Sequence, residues 1–156
     1  MKRLVKFLQL RWSDRFLLVI TAFLLGMIRL ALWLLPFQTV HRLLARITPR
    51  TTELQQVDQD YINKVVWAVV IASPYIPGVK CLAQALATQV MVEWRGYPTQ
   101  VRIGITRNKK GQLLAHAWVE SQGKVVIGGA GNMACYIPVS LPEVKSDESD
   151  SWHLLT

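Results

Sequence analysis

Between residues 80 and 96 the chain reads Lys80-Cys-Leu-Ala-Gln-Ala-Leu-Ala-Thr-Gln-Val-Met-Val-Glu-Trp-Arg-Gly96. Apolar residues recur at helical spacing, and a glycine commonly ends a helix, so the segment predicts a helix that begins at Cys81. At a helix start the backbone N–H groups are unpaired and the helix dipole is positive, and both favour a thiolate. Cys81 is therefore a candidate nucleophile, although a free cysteine is more often a small buried hydrophobe.

A histidine lies on a predicted strand that follows this helix. The segment Leu113-Leu-Ala-His-Ala-Trp-Val-Glu120 is typical of a strand and contains His116. A histidine on a strand beside the helix could serve as the general base of a cysteine nucleophile. The alternative is that His116 has only a structural role. The order of a cysteine-headed helix, a strand, a turn and a histidine strand favours the catalytic interpretation.

The surrounding elements predict an α+β core. Thr51-Thr-Glu53 is typical of a helix start, and apolar residues continue at helical spacing to Ala72. Three alternating strands with short turns follow the Cys81 helix, at residues 100–105, 113–120 and 124–127. We therefore expect the Cys81 helix to pack on an antiparallel sheet.

The positive charge is concentrated in the first third of the chain. Residues 1–50 hold nine Lys and Arg residues against Asp14 alone, and the remaining residues hold nine basic and nine acidic side chains. The entire net charge of +8 therefore belongs to the N-terminal third. Such asymmetry indicates contact with nucleic acid, an anionic membrane or an acidic partner.

The same third is strongly apolar. Residues 16–37 are just long enough to span a bilayer if Arg29 is tolerated, at a cost of roughly 2.5–3.5 kcal/mol. Three interpretations remain open: a helix packed on protein, which we favour, a helix on a membrane surface, and a true span. A stripe of small or polar residues suits a helix packed on protein or one lying on a membrane surface: Ala22, Gly26, Arg29 and Trp33. Pro36 should end this helix, and a basic amphipathic helix is predicted from Thr39 to Ile47.

The chain of 156 residues is expected to divide into three parts. These are a basic apolar helical extension (1–50), a catalytic core (51–140) and an acidic flexible tail (141–156). Two cysteines make no disulfide framework, so we expect Cys81 and Cys135 to be free thiols. With no secretory signal recognised, we expect a cytoplasmic location, with membrane association as an alternative.

Four blocks of sequence resemble one known family. They are Cys81-Leu-Ala-Gln-Ala-Leu-Ala, Trp94-Arg-Gly-Tyr-Pro, Ala115-His-Ala-Trp-Val-Glu120 and Gly123-Lys-Val-Val-Ile-Gly128. Together they resemble the transglutaminase-like superfamily, and more closely the stand-alone leader peptidases of lasso-peptide biosynthesis. The resemblance implies a transglutaminase-like or papain-like core with an N-terminal helical extension.

The resemblance also implies an activity and partners. Such enzymes cut a ribosomally made precursor between leader and core, with Cys81 as nucleophile and His116 as base. The implied partners are the precursor leader peptide, a separate small leader-recognition protein and an ATP-dependent lasso cyclase. Peripheral membrane contact through residues 1–47 is a further option. We expect no cofactor, no metal and no nucleic acid.

The third catalytic residue is the open question. The family usually has an acid on the strand after Ser121-Gln-Gly123, but here that strand ends Val126-Ile-Gly-Gly129. Glu120 shares a strand face with His116 but lies about 13 Å along the strand, so we predict a structural or substrate-facing role. Asn132 is a candidate, and a Cys–His dyad alone is an alternative. An acyltransferase and a non-catalytic peptide- or membrane-binding scaffold are the competing functions.

Overall fold

The computed structural model describes residues 11–48, 58–107, 109–129 and 136–139. Four α-helices lie in these ranges: α1 (Trp12–Leu34), α2 (Phe37–Ile47), α3 (Gln59–Ala72) and α4 (Cys81–Glu93). A 3-10 turn (Ser73–Tyr75) follows α3. The described strands are β1 (Gln100–Arg107), β2 (Leu113–Ser121), β3 (Lys124–Ile127) and β4 (Ile137–Val139). The predicted α+β class and the helix beginning at Cys81 are confirmed.

The four strands form one antiparallel sheet in the order β3-β2-β1-β4. In the pairing of β1 with β2, Gly104 lies opposite His116. The strand β4, which the sequence did not predict, pairs with the other edge of β1 and sets Pro138 opposite Gly104. The central strands are thus β2 and β1, and His116 lies on one of them.

Helices α3 and α4 pack on one face of this sheet, and all four helices contribute residues to the same hydrophobic core. Helix α4 packs against β2 and also contacts α1 and α3. Its side chains are buried on several sides, because small alanines alternate with larger residues along it: Ala83, Ala85, Leu86, Ala87, Val90 and Met91. From the sheet, Val101, Ala117 and Val119 join the same cluster. Helix α4 is therefore the central helix of the fold.

Helix α3 starts later than predicted. Asp58 caps it, with its carboxylate accepting hydrogen bonds from the backbone N–H groups of Asp60 (3.0 Å) and Tyr61 (3.2 Å). An aspartate at this position satisfies N–H groups that the helix leaves unpaired, so the helix begins at Gln59. The predicted start at Thr51 was wrong for this helix, and residues 51–57 lie outside the described ranges.

A tyrosine joins α3 to α4. The Tyr61 hydroxyl donates a hydrogen bond to the Met91 carbonyl at 3.0 Å, and burial raises the pKa of Tyr61.

Helix α1 packs one face against α3 and α4, as expected for a packed helix. The buried stripe is not the predicted one of small and polar residues. It consists of Leu18, Thr21, Leu25 and Ile28, and Trp33 is exposed. The Thr21 hydroxyl lies 3.5 Å from the Met91 sulfur of α4. By length and composition α1 could also cross a membrane, but this buried stripe belongs to the core shared with α4.

Candidate active site

Cys81 is the first residue of α4 and is half-buried at the edge of the core. Lys80 before it is extended, and within the described structure its side chain makes no capping hydrogen bond. The first-turn N–H groups of α4 are therefore not taken by a capping side chain from the preceding residue. The predicted position of a thiol at a helix start is confirmed.

His116 is half-buried on β2, and its Nε2 lies 2.6 Å from the carbonyl oxygen of Gly128. A carbonyl oxygen can only accept a hydrogen bond, so Nε2 must carry the proton and donate it. In the neutral imidazole the other nitrogen, Nδ1, is then unprotonated and can accept a proton. The contact therefore selects the tautomer that a general base needs, with Nδ1 as the basic atom.

Gly128 makes this contact because it has no side chain. Its φ is +83°, and a Cβ built on it would lie 2.7 Å from the Ala117 carbonyl oxygen and 3.0 Å from the Trp118 Cα. Both the backbone angle and the close approach to β2 require glycine. The backbone just after β3 thus lies where the family usually has an acid. Sequence reasoning missed Gly128, although a Gly-Gly pair in place of an expected acid was an available signal.

Aromatic rings surround the imidazole. The ring centroids of Trp118 and Tyr136 lie 6.4 Å and 5.5 Å from that of His116. Gly104 makes room for them, since a Cβ there would lie 2.8 Å from the Tyr136 Cβ and 2.9 Å from the Trp118 ring. The buried Trp118 ring thus lies beside the imidazole.

Glu120 belongs to the support of this cluster. Its Oε1 accepts a hydrogen bond from Trp118 Nε1 at 2.8 Å, and its Oε2 lies 3.5 Å from Arg102 Nε. The first contact joins Glu120 to the Trp118 ring, which lies beside His116, and the second pairs Glu120 with Arg102 on β1. Glu120 was predicted to be structural or substrate-facing, and these two contacts are structural.

Cys81 and His116 lie on elements that pack together, but the two side chains are not bonded. Side chains alternate along a strand, so His116 faces away from Ala117 and Val119, which pack in the core with α4. Among the described residues no hydrogen bond joins the Cys81 Sγ to the imidazole. Catalytic contacts are often long until substrate is bound. The structure brings the two elements together without showing a formed Cys–His pair.

Asn132, the predicted third member, and Cys135 lie outside the described residues. Their roles stay predictions.

The family of the chain follows from comparison with known proteins. The sequence model of the transglutaminase-like superfamily matches residues 24–140, a range that includes Cys81, His116 and all four strands. No curated protein and no solved structure matches the chain. The superfamily includes cysteine peptidases and acyltransferases, and cysteine-based catalysis is common in it. The match covers most of the sequence and the whole described sheet, so the chain belongs to the transglutaminase-like superfamily.

Proposed function

We propose that this protein is a cysteine peptidase that removes the leader from a ribosomally made lasso-peptide precursor. The observation that carries the proposal is Cys81 at the start of α4, which packs on the strand of an imidazole whose Nε2 is held by a carbonyl. Membership of the superfamily supports cysteine chemistry, and the four sequence blocks that resemble leader peptidases support the choice of substrate.

The proposed reaction proceeds through an acyl-enzyme. In the proposed reaction, substrate binding brings the Cys81 thiol and His116 Nδ1 within reach of each other. Nδ1 then takes the thiol proton, and Sγ attacks the carbonyl carbon of the scissile bond. The peptide C–N bond breaks, and the imidazolium returns its proton to the departing amine of the core peptide. Water then attacks the thioester, which releases the leader carboxylate and restores the thiol. The Cys81 backbone N–H at the helix start is the proposed donor to the oxyanion.

The Gly128 carbonyl would do part of the work of a third catalytic residue. It fixes the tautomer and the orientation of His116, as a carboxylate would. A carbonyl dipole stabilises a developing imidazolium less than a full negative charge does. The orienting function is thus supplied by the backbone, and Asn132 is a candidate for any further contact with the imidazole.

The proposed partners are the precursor leader peptide, a separate leader-recognition protein and an ATP-dependent cyclase. The resemblance to the stand-alone peptidase form supports this division of labour. The full-length protein should therefore cut the precursor slowly alone and much faster when the leader-recognition protein is added. Equal rate and equal leader selectivity without that protein would contradict the two-component arrangement.

Mass spectrometry of the precursor after incubation with the full-length protein tests the reaction. A peptidase gives leader and core fragments whose masses sum to that of the precursor plus one water. An acyltransferase gives the leader joined to an added amine, because the amine takes the place of water at the thioester. A non-catalytic scaffold gives unchanged precursor and would end the proposal.

We also expect Cys81 to be the more reactive thiol of the two. At mildly acidic pH, iodoacetamide should label Cys81 before Cys135, because the proposed mechanism needs an activated Cys81 thiol and gives Cys135 no role. His116→Ala should slow the labelling of Cys81 and leave that of Cys135 unchanged. Peptide mapping after short exposures measures both rates. Equal labelling of the two cysteines, or no effect of His116→Ala, would show that the thiol and the imidazole do not interact.

A further inference from the structure

Helix α1 exposes a continuous apolar stripe on the side opposite its buried residues. The stripe runs the length of the helix with helical spacing and consists of Trp12, Phe16, Val19, Phe23, Met27, Leu30 and Leu34, all exposed. At 1.5 Å per residue it is about 33 Å long. Single exposed apolar residues are common on protein surfaces, but a contiguous patch of this kind marks a binding surface. Within the described part of the chain nothing covers it.

Arg29 does not interrupt the stripe. It projects from a different side of α1 toward the loop before Cys81, where its Nε would lie 2.5 Å from a Cβ built on Gly78. The Arg29 Nε is buried, and it has no hydrogen-bond partner among the described residues. The Arg29 charge, which in the sequence counts against a membrane span, is therefore turned toward the protein.

The surroundings of the stripe are basic and aromatic. The exposed residue Arg11 precedes α1, and the Arg15 guanidinium lies 5.5 Å from the Trp12 ring. On α2, Arg42 and Arg46 are exposed next to the exposed Leu43 and Ile47. Basic residues beside an apolar helix face are the arrangement that binds anionic lipid surfaces.

We propose that the α1 stripe lies in the interface of an anionic lipid bilayer, parallel to its surface. The stripe would enter the headgroup region, and the basic residues would meet the lipid phosphates. A second copy of this chain fits less well, since it would bring an equally basic third to the same surface. A transmembrane position fits less well too, because the other face of α1 packs in the core with α4. The proposal is independent of the peptidase activity.

Flotation of the full-length protein with lipid vesicles tests this. It should float with phosphatidylcholine vesicles that contain phosphatidylglycerol, less with phosphatidylcholine alone, and less again as salt is added. Phe16→Ser with Phe23→Ser, at positions 68% and 71% exposed, should lower binding about tenfold or more. The matched control is Leu113→Ser with Ile137→Ser, on the sheet at positions 66% and 74% exposed, which should bind like the unmodified protein.

Other outcomes would overturn the proposal. One is that the protein does not bind the anionic vesicles, and another is that the two double variants lose equal amounts of vesicle binding. A third is that the protein forms a dimer without vesicles and that Phe16→Ser with Phe23→Ser abolishes this dimer. The last result would assign the stripe to a second copy. Protease protection that places Lys2 and Arg42 on opposite sides of a membrane would show a span instead. Because all four substituted side chains are exposed, circular dichroism should show folded variants. Quenching of tryptophan fluorescence by brominated lipid, which should be weaker in Trp12→Phe, gives a second readout.

Discussion

Cys81→Ala is expected to abolish cleavage of the precursor, with a loss of about 10⁴-fold or more. The alanine retains the helix start but has no atom that can form the thioester. Cys81 is half-buried and loses only its sulfur, so the variant should remain folded by circular dichroism. Cleavage is measured by mass spectrometry at matched protein concentrations.

The control is Cys135→Ala, which removes the other thiol and should leave the cleavage rate essentially unchanged. His116→Ala should match Cys81→Ala, and the double variant should be no slower than either single one, because the two groups act in one step. Robust turnover by Cys81→Ala would exclude the acyl-Cys81 mechanism.

Gly128→Ala should lower kcat by about 10- to 100-fold with a smaller change in KM, since it disturbs a group that positions the base. The new Cβ would meet the Ala117 carbonyl, so the backbone after β3 must move and the 2.6 Å contact with His116 Nε2 is lost.

Gly123→Ala is the matched control for this substitution. Gly123 also has a positive φ, +76°, but its Cβ would meet nothing within 4 Å. Both variants carry the backbone strain of about 1–2 kcal/mol, and only Gly128→Ala adds the clash. Nitrogen NMR of His116 should show the Nε2–H tautomer in the unmodified protein and in Gly123→Ala. Equal kcat and KM for the two variants would show that Gly128 serves only the backbone turn and does not position His116.

The sequence was most informative where residue type and periodicity act locally. The helix beginning at Cys81, the alternation around His116 and the turn between β2 and β3 depend on nearby residues, and all were predicted. The separation of Glu120 from His116 along the strand followed from the rise per residue of a strand. These features need no knowledge of contacts that are distant in sequence.

Other features depend on contacts that no local pattern encodes. Every residue type has a backbone carbonyl that could orient His116, so residue identity does not reveal which carbonyl does so. The only signal in the sequence that pointed toward Gly128 was the absence of the expected acid. The strand β4 is three residues long and includes Pro138, which gives little strand signal without its partner β1. In α1 both faces are apolar, so composition could not decide which one packs on α4.

The contact of Thr21 with Met91 has a consequence for how the chain folds as it is made. The two residues are 70 positions apart. At 5–20 residues per second, α1 waits roughly 4 to 14 s before its partner in α4 has been synthesised. Throughout that interval the face of α1 that is buried in the finished fold, with Leu25 and Ile28, has no α4 surface to pack against. Among the described helices, the first to be made therefore completes this contact only after α4 has been synthesised, and translation rather than helix formation sets the pace of that step.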